Sequence, residues 1–368
     1  MSRTEPTLKQ FVSRLKRVVS EVARIDSAGA DAALRLSVSF SLYTEFDALR
    51  CQERPFDRAV FAGRVGAVER LLGSYPRVAA RKRSKSAARP TEAVVAELYS
   101  RCWSHYDDAA FRQTIELFEE RFRLNRADLS FLKGADCLDA GCGSGRYTMA
   151  MAKLGARTSL GVDISERAVR EAAQRSGRLG FGRSVQFVQG SVIDMPREWT
   201  GRFDFVCSNG VVHHTTNPAK GLEEIFRVLK PGGQAYVFVY GAGGLFWELV
   251  DAIRALVAPV PLDVADAWLQ SLGVTAGKIF NALDHWYTPM QERLTEREFE
   301  SRLEACGFEK LVPVPRAKIY DASERKCRFP EERDLVGEGD LRYLAAKPRG
   351  SRSVKSVVRP LPHNVVMR

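Results

Sequence analysis

The chain has 368 residues, a hydrophobic fraction of 45% and a formal net charge of +11. That length accommodates one large domain with extensions or two domains, and the apolar fraction is ordinary for a globular protein. No uninterrupted apolar run reaches the roughly eighteen residues of a helical membrane span, and the polar residues 1–10 lack the apolar core of a secretory signal. Cys51, Cys102, Cys137, Cys142, Cys207, Cys306 and Cys327 are scattered and contain no C-x-x-C pair. Disulfides and a metal site are therefore not expected, and a cytoplasmic location fits.

Residues 1–90 read as a helical extension without recognisable chemistry. Leu8, Phe11, Val12, Leu15, Val18 and Val19 recur at helical spacing, and residues 56–72 repeat the pattern. Residues 81–91 form a basic linker. Residues 93–122 read as helix again and include Trp103-Ser104-His105-Tyr106-Asp107. From 135 to 240, short apolar strands alternate with helices. Strands are expected over 137–140, 158–162, 185–188, 203–208 and 234–240, and helices over 147–154, 166–175 and 220–229. Such alternation implies a parallel sheet covered on both faces, with ligands bound beyond the carboxyl ends of its strands.

Gly241-Ala242-Gly243-Gly244 opens an insertion running to about residue 290. Leu245, Phe246, Leu249, Val250, Ile253, Leu256 and Val257 place a strongly apolar helix in it. That helix either packs on the core or forms a lid over the ligand edge. Residues 295–306 read as a helix that Gly307 ends. Residues 310–314 and 341–346 are expected to pair as an antiparallel hairpin across a long connection, 317–340. The basic residues 349–368 carry Ser, Arg and Pro without a packing period and are expected to be disordered.

The richest stretch is Cys137-Leu138-Asp139-Ala140-Gly141-Cys142-Gly143-Ser144-Gly145-Arg146-Tyr147. An apolar strand ends in an acid, and a Gly-x-Gly-x-Gly turn leads into a helix. Glycines permit the sharp turn and a close approach of ligand to backbone, and a helix N-terminus offers free N–H groups. The dinucleotide fingerprint would place its third glycine one residue later.

This stretch is similar to the first motif of the class I S-adenosylmethionine-dependent methyltransferases. The resemblance covers about residues 98–348 and is densest over 138–240. It implies a Rossmann-like doubly wound α/β sheet of seven strands, mostly parallel, with an antiparallel last strand. The domain then spans 91–348, with 241–290 as a lid or acceptor insertion. It implies S-adenosylmethionine as cofactor and S-adenosylhomocysteine as product. By that resemblance Asp139, Gly141, Gly143 and Gly145 hold the methionine end, Asp163 the ribose diol, and Ile164 the adenine face. Ser191 and Val192 follow the third strand, with Ser191 where the family often has an acid. Asn209 leaves the fourth strand near the methyl group, and Tyr106 closes over the methionine end or packs in the core.

His213 and His214 lie on the acceptor side, where a histidine has a suitable pKa for a general base or else merely shapes the loop. His285, Trp286 and Tyr287 are further acceptor-site candidates. Asp204 reads as a loop support, and Cys142 and Cys207 as buried fillers. The expected activity is methyl transfer to a small-molecule O, C or N acceptor. Its alternatives are an RNA methyltransferase, favoured by the basic balance alone, and a catalytically silent relative.

Overall fold

Eight strands form one sheet in this computed structural model, which describes residues 30–50, 58–73, 92–315 and 336–350 together with Ser13, Arg14, Arg17 and Asp334. The strands are β1 (Asp136–Ala140), β2 (Thr158–Asp163), β3 (Val185–Gln189), β4 (Phe203–Asn209), β5 (Leu229–Gly241), β6 (Arg293–Leu294), β7 (Glu309–Pro313) and β8 (Asp340–Ala346). Their order is β3-β2-β1-β4-β5-β8-β7, with two-residue β6 paired to β5. β1 to β5 run parallel, and β8 enters antiparallel between β5 and β7. The chain leaves β1 towards β2 on one side and returns to β4 on the other. That reversal opens a crevice at the carboxyl ends of β1 and β4. The expected hairpin is therefore present, one strand beyond the seven-stranded count because of β6.

Boundaries differ from the sequence reading where turn chemistry was taken as strand termination. β5 begins at Leu229 and continues through Pro231-Gly232-Gly233, with the register against β4 shifting between Phe203 and Phe205. The glycine pair makes a bulge inside the strand. Gly232 N–H bonds the Lys347 carbonyl at 2.9 Å, and Lys347 N–H bonds that of Gly233 at 2.8 Å. Asp204 is a support, as expected. Its carboxylate accepts from the Asp136 backbone at 2.9 Å and from Lys230 at 2.7 Å.

The described helices are α1 (Ala30–Arg50), α2 (Arg58–Gly73), α3 (Glu92–Ser104), α4 (Asp108–Leu124), α5 (Arg146–Lys153), α6 (Glu166–Leu179), α7 (Pro218–Val228), α8 (Gly244–Val257), α9 (Leu262–Ser271), α10 (Ala276–Tyr287) and α11 (Glu296–Ala305). The single helix expected over 93–122 is two. Asp107 caps α4 by accepting from Ala110 N–H at 2.7 Å, which stops α3 and leaves Tyr106 in the break between them. On one sheet face α4 and α5 bury Phe111, Phe118, Phe122, Met149 and Met151 against Cys137, Phe205 and Tyr236. On the other, α7 and α11 bury Leu222, Ile225, Phe299 and Leu303 against Leu138, Val206 and Val237.

A third core lies off the sheet. It joins Leu36, Val38 and Leu42 of α1 to Leu249, Val250 and Ile253 of α8, with Ala265 and Leu269 of α9 and Ile279 and Leu283 of α10. Arg35 Nη1 donates to the Leu256 carbonyl at 3.0 Å, and the Tyr43 hydroxyl meets His285 Nδ1 at 2.6 Å. The extension and the insertion, read apart in the sequence, are thus two halves of one helical cap. α8 packs as core, whereas α10 faces the crevice. Cys102, Cys137, Cys142 and Cys207 are buried free thiols and Cys306 is partly buried. Residues 8–12, 81–91, 317–333 and 351–368, with Cys51 and Cys327, lie outside the described residues. No described helix is long and apolar enough to cross a membrane.

Candidate functional site

A cavity of about 690 Å³ fills the crevice between the carboxyl ends of the strands and the cap. Its floor is the turn after β1. Gly141 (φ +82°) and Gly143 (φ +48°) both sit in the left-handed region. A Cβ on Gly141 would lie 2.4 Å from Val211, and one on Gly143 would lie 2.9 Å from the Trp103 indole nitrogen. The turn is thus closed by protein side chains as well as open to a ligand. Gly145 is off the cavity wall, and a Cβ there would meet the Phe187 ring at 2.5 Å. Its lack of a side chain lets α5 pack against Phe187 of β3.

Asp139 is 2% exposed, and its Oδ2 accepts from Thr148 N–H at 2.9 Å and Thr148 Oγ1 at 2.8 Å. It ties the strand end to the first turn of α5 while still lining the cavity. Burial pushes its carboxyl up to about 6, with the Thr148 donors opposing. Asp163 ends β2. Its Oδ2 accepts from Gly143 N–H at 2.8 Å and its Oδ1 from Ser165 N–H at 2.9 Å. Burial raises its pKa, and these two N–H groups hold it back. Each oxygen keeps a further lone pair. Ile164 and Val192 give the adjoining apolar wall. Ser191 follows β3 at the neighbouring strand end. It is off the wall and donates to Glu92 Oε2 at 3.2 Å. Glu92, which lines the cavity, also accepts from Thr216 N–H at 3.3 Å and Oγ1 at 2.8 Å. An acid from the first turn of α3 thereby stands beside Ser191, the position at which this loop carries a hydroxyl.

Towards α10 the cavity is aromatic, walled by Tyr99, Phe238, Tyr240 and Phe280, while Trp103 and Tyr106 stand beside the glycine turn. Asp284 of α10 lies among them. Its Oδ1 accepts from the hydroxyls of Tyr99 at 2.7 Å and Thr288 at 3.0 Å, and its Oδ2 from that of Tyr240 at 2.5 Å. His214 Nδ1 is 2.6 Å from the Met290 carbonyl, which can only accept. Nδ1 therefore carries the proton and Nε2 the lone pair, 4.0 Å from Asp284. Burial lowers the pKa of His214, opposed by Asp284 and the Met290 carbonyl.

His213 is different. It is absent from the cavity wall and 1% exposed, and neither ring nitrogen has a hydrogen-bond partner among the described residues. It stacks on His214 at 3.9 Å and Tyr240 at 4.4 Å, and burial drives its pKa well below the usual histidine range. Of the expected pair, the cavity admits one. His285 lines the cavity, whereas Trp286 and Tyr287 do not.

Residues 138–237, from β1 into β5, match the family of methyltransferase domains. The match covers β1 to β5 and the turn that floors the cavity, so over these residues the chain is similar to methyltransferase domains. An uncharacterised protein of Synechococcus is 34% identical over 167 residues, 44% of this chain and 37% of that protein. The ubiquinone biosynthesis O-methyltransferase of Thiobacillus denitrificans is 34% identical over 142 residues, 38% of this chain and 58% of that enzyme. The chain thus spans between 37% and 58% of these relatives. Among solved structures, the 1,6-didemethyltoxoflavin-N1-methyltransferase of Burkholderia thailandensis, with its substrate and S-adenosylhomocysteine bound, aligns over 73% of this chain and 94% of that one. The identity is 22% and the TM-score 0.40.

Several residues of the crevice escape a motif-based reading. Tyr99 and Trp103 reach it from α3, Arg121 from α4 and Asp284 from α10. Two carried a signal. Arg121 continues the apolar stripe Phe111, Thr114, Phe118 at helical spacing, an unusual place for a cation. Gly277, Phe280, Asn281 and Asp284 form one helix face at i, i+3, i+4 and i+7, and all four line the cavity.

Proposed function

We propose that the chain is an S-adenosylmethionine-dependent methyltransferase acting on a small-molecule acceptor bound beneath the helical cap. The observation that carries this is the continuity of one cavity from Asp163, at the end of β2, to the aromatic pocket under α10. The Asp163 end fits the cofactor. A carboxylate with spare lone pairs suits a ribose diol, and Ile164 with Val192 suits a purine face. The aromatic rings of Trp103 and Tyr106 suit a cation. When bound, the cofactor supplies a methyl group already activated on a sulfonium.

The chain's own task is positioning and drying the site. The Tyr99, Tyr240 and Phe280 rings exclude water and orient a flat acceptor. His214 Nε2 takes the proton of a hydroxyl acceptor. Asp284 faces that nitrogen and stabilises the imidazolium that results. A base with a fixed tautomer supports O-methylation above the other acceptor atoms.

Calorimetry with S-adenosylhomocysteine tests the donor side. Asp163→Ala is expected to weaken binding about tenfold or more, since hydrogen bonds to a charged group contribute about 1.5–3 kcal/mol. Unchanged affinity would remove Asp163 from the ribose site. Incubation with labelled S-adenosylmethionine against metabolite pools and RNA tests the acceptor. Label in RNA alone would overturn the small-molecule reading.

A further inference from the structure

Resting on that reading, we infer that Tyr43 of α1 is a positioning residue for the acceptor. It holds His285 in the tautomer that carries the proton on Nε2, so that the acceptor is read through a second, hydrogen-bond-accepting oxygen besides its methylated group. Tyr43 is 2% exposed and His285 3%. The Tyr43 hydroxyl stands 2.6 Å from His285 Nδ1. A phenol is a better proton donor than a neutral imidazole, and an imidazole nitrogen is a better acceptor than a phenol oxygen. The hydroxyl therefore donates, Nδ1 carries the lone pair and Nε2 the proton. His285 lines the cavity and Tyr43 does not, so the nitrogen tied to Tyr43 lies on the edge turned to the cap. Main chain and partner are fixed as well. The His285 carbonyl accepts from Arg254 Nη1 at 3.0 Å, and the Tyr43 ring meets Trp286 edge-on at 5.5 Å.

His285 is thereby set opposite to His214, where a carbonyl takes the Nδ1 proton and leaves the lone pair on Nε2. The two imidazoles flank one ring, with His214 5.4 Å and His285 5.8 Å from the Tyr240 centroid. The pocket thus offers one nitrogen that accepts a proton and one that donates a hydrogen bond. A hydroxyl satisfies the first. A carbonyl, ether or further hydroxyl oxygen on the same molecule satisfies the second. The rings around His285 are Tyr43, Tyr240, Phe246 and Trp247, from α1, the end of β5 and α8. The side chains against the glycine turn, Val211 and Trp103, come instead from the loop after β4 and from α3. The amino-terminal extension, in which the sequence shows no chemistry, reaches the acceptor through this one hydroxyl.

Nitrogen NMR of histidine-labelled full chain, saturated with S-adenosylhomocysteine, reads the tautomer directly. The His285 signals, assigned among the five histidines by His285→Gln, are expected to show a single Nε2–H form. Tyr43→Phe, which keeps the ring and loses the hydroxyl, should give a mixture of tautomers. Acetophenone and isopropenylbenzene match in shape and differ in one carbonyl oxygen, and both are titrated into the same complex. The ratio of their affinities should fall about threefold or more in Tyr43→Phe, the equivalent of one neutral hydrogen bond. The affinity for S-adenosylhomocysteine should not change. A tyrosine that only packs would lower Tm and move neither the tautomer nor the ratio. An Nδ1–H form in wild type, a tautomer or ratio unmoved in the variant, or binding of neither probe overturns the proposal. So does loss of S-adenosylhomocysteine binding in Tyr43→Phe, which would give the pair to the cofactor. Where the variant fails to fold, the wild-type spectrum, with and without acetophenone, decides: His285 signals that acetophenone leaves in place overturn the proposal. Failure of wild type to bind S-adenosylhomocysteine would instead overturn the methyltransferase reading. The spectra and titrations would then be run without it.

Discussion

Two adjacent histidines in one short turn have opposite surroundings. His214 shares its proton with a carbonyl and faces a carboxylate, whereas His213 is enclosed by rings and hydrogen-bonds none of the described residues. Both are held neutral by burial, so both have folded-state pKa values below the unfolded value of about 6.5. The unfolded chain therefore binds more protons as pH falls through that value, and stability drops on the acid side. Urea midpoints are expected to fall between pH 7.5 and 5.5. His213→Phe should flatten that fall, since it removes the more strongly perturbed group without breaking a hydrogen bond. An unchanged slope would show that His213 does not control acid sensitivity. For turnover the sign is the same but the residue differs. The acid limb of the rate profile should lie below 6.5 and disappear in His214→Gln along with most activity.

At the scale of elements, α10 is held to the crevice through one carboxylate. Asp284 gathers hydroxyls from α3, β5 and Thr288 beyond its own helix. Asp284→Ala leaves these hydroxyls without their acceptor. The cost is expected at about 1–3 kcal/mol, read as a lowered Tm, with Asp284→Asn milder because its amide oxygen still accepts from Tyr99 and Thr288. Equal melts for the two variants would show that packing, not this acceptor, seats the helix. The parallel strands were legible because each is a short continuous apolar run between turn residues. So was Asp163, at the end of one such run. The break at Asp107 was less visible, because apolar spacing continues across it at Trp103, Phe111 and Phe118. Arg121 and Asp284 carry no motif at all. The helical spacing of each puts it on a buried helix face, but that both faces meet in one cavity follows only from the convergence of α4 and α10.

Over the whole molecule, the cap is assembled from segments some 200 residues apart, and no local pattern announces such a pairing. α1 contributes Leu36, Val38, Leu42 and Tyr43, each at most 2% exposed, against α8 to α10. Burial of such a side chain is worth about 1.5–3 kcal/mol. Four of them already approach the total stability of a domain, about 5–15 kcal/mol. Removing residues 1–50 should therefore uncover the apolar face of α8, detach Tyr43 from His285 and lower Tm sharply, with strong binding of a hydrophobic dye. Removing residues 351–368 should do neither. The sheet is complete at β8, and those residues are rich in Ser, Arg and Pro. Melting curves of the two truncations, run beside full-length chain, decide the matter. Equal and small shifts would mean that the extension rides on the cap without supporting it. A sharp fall on the carboxyl-terminal truncation would instead place Val365 and Val366 in a packed contact.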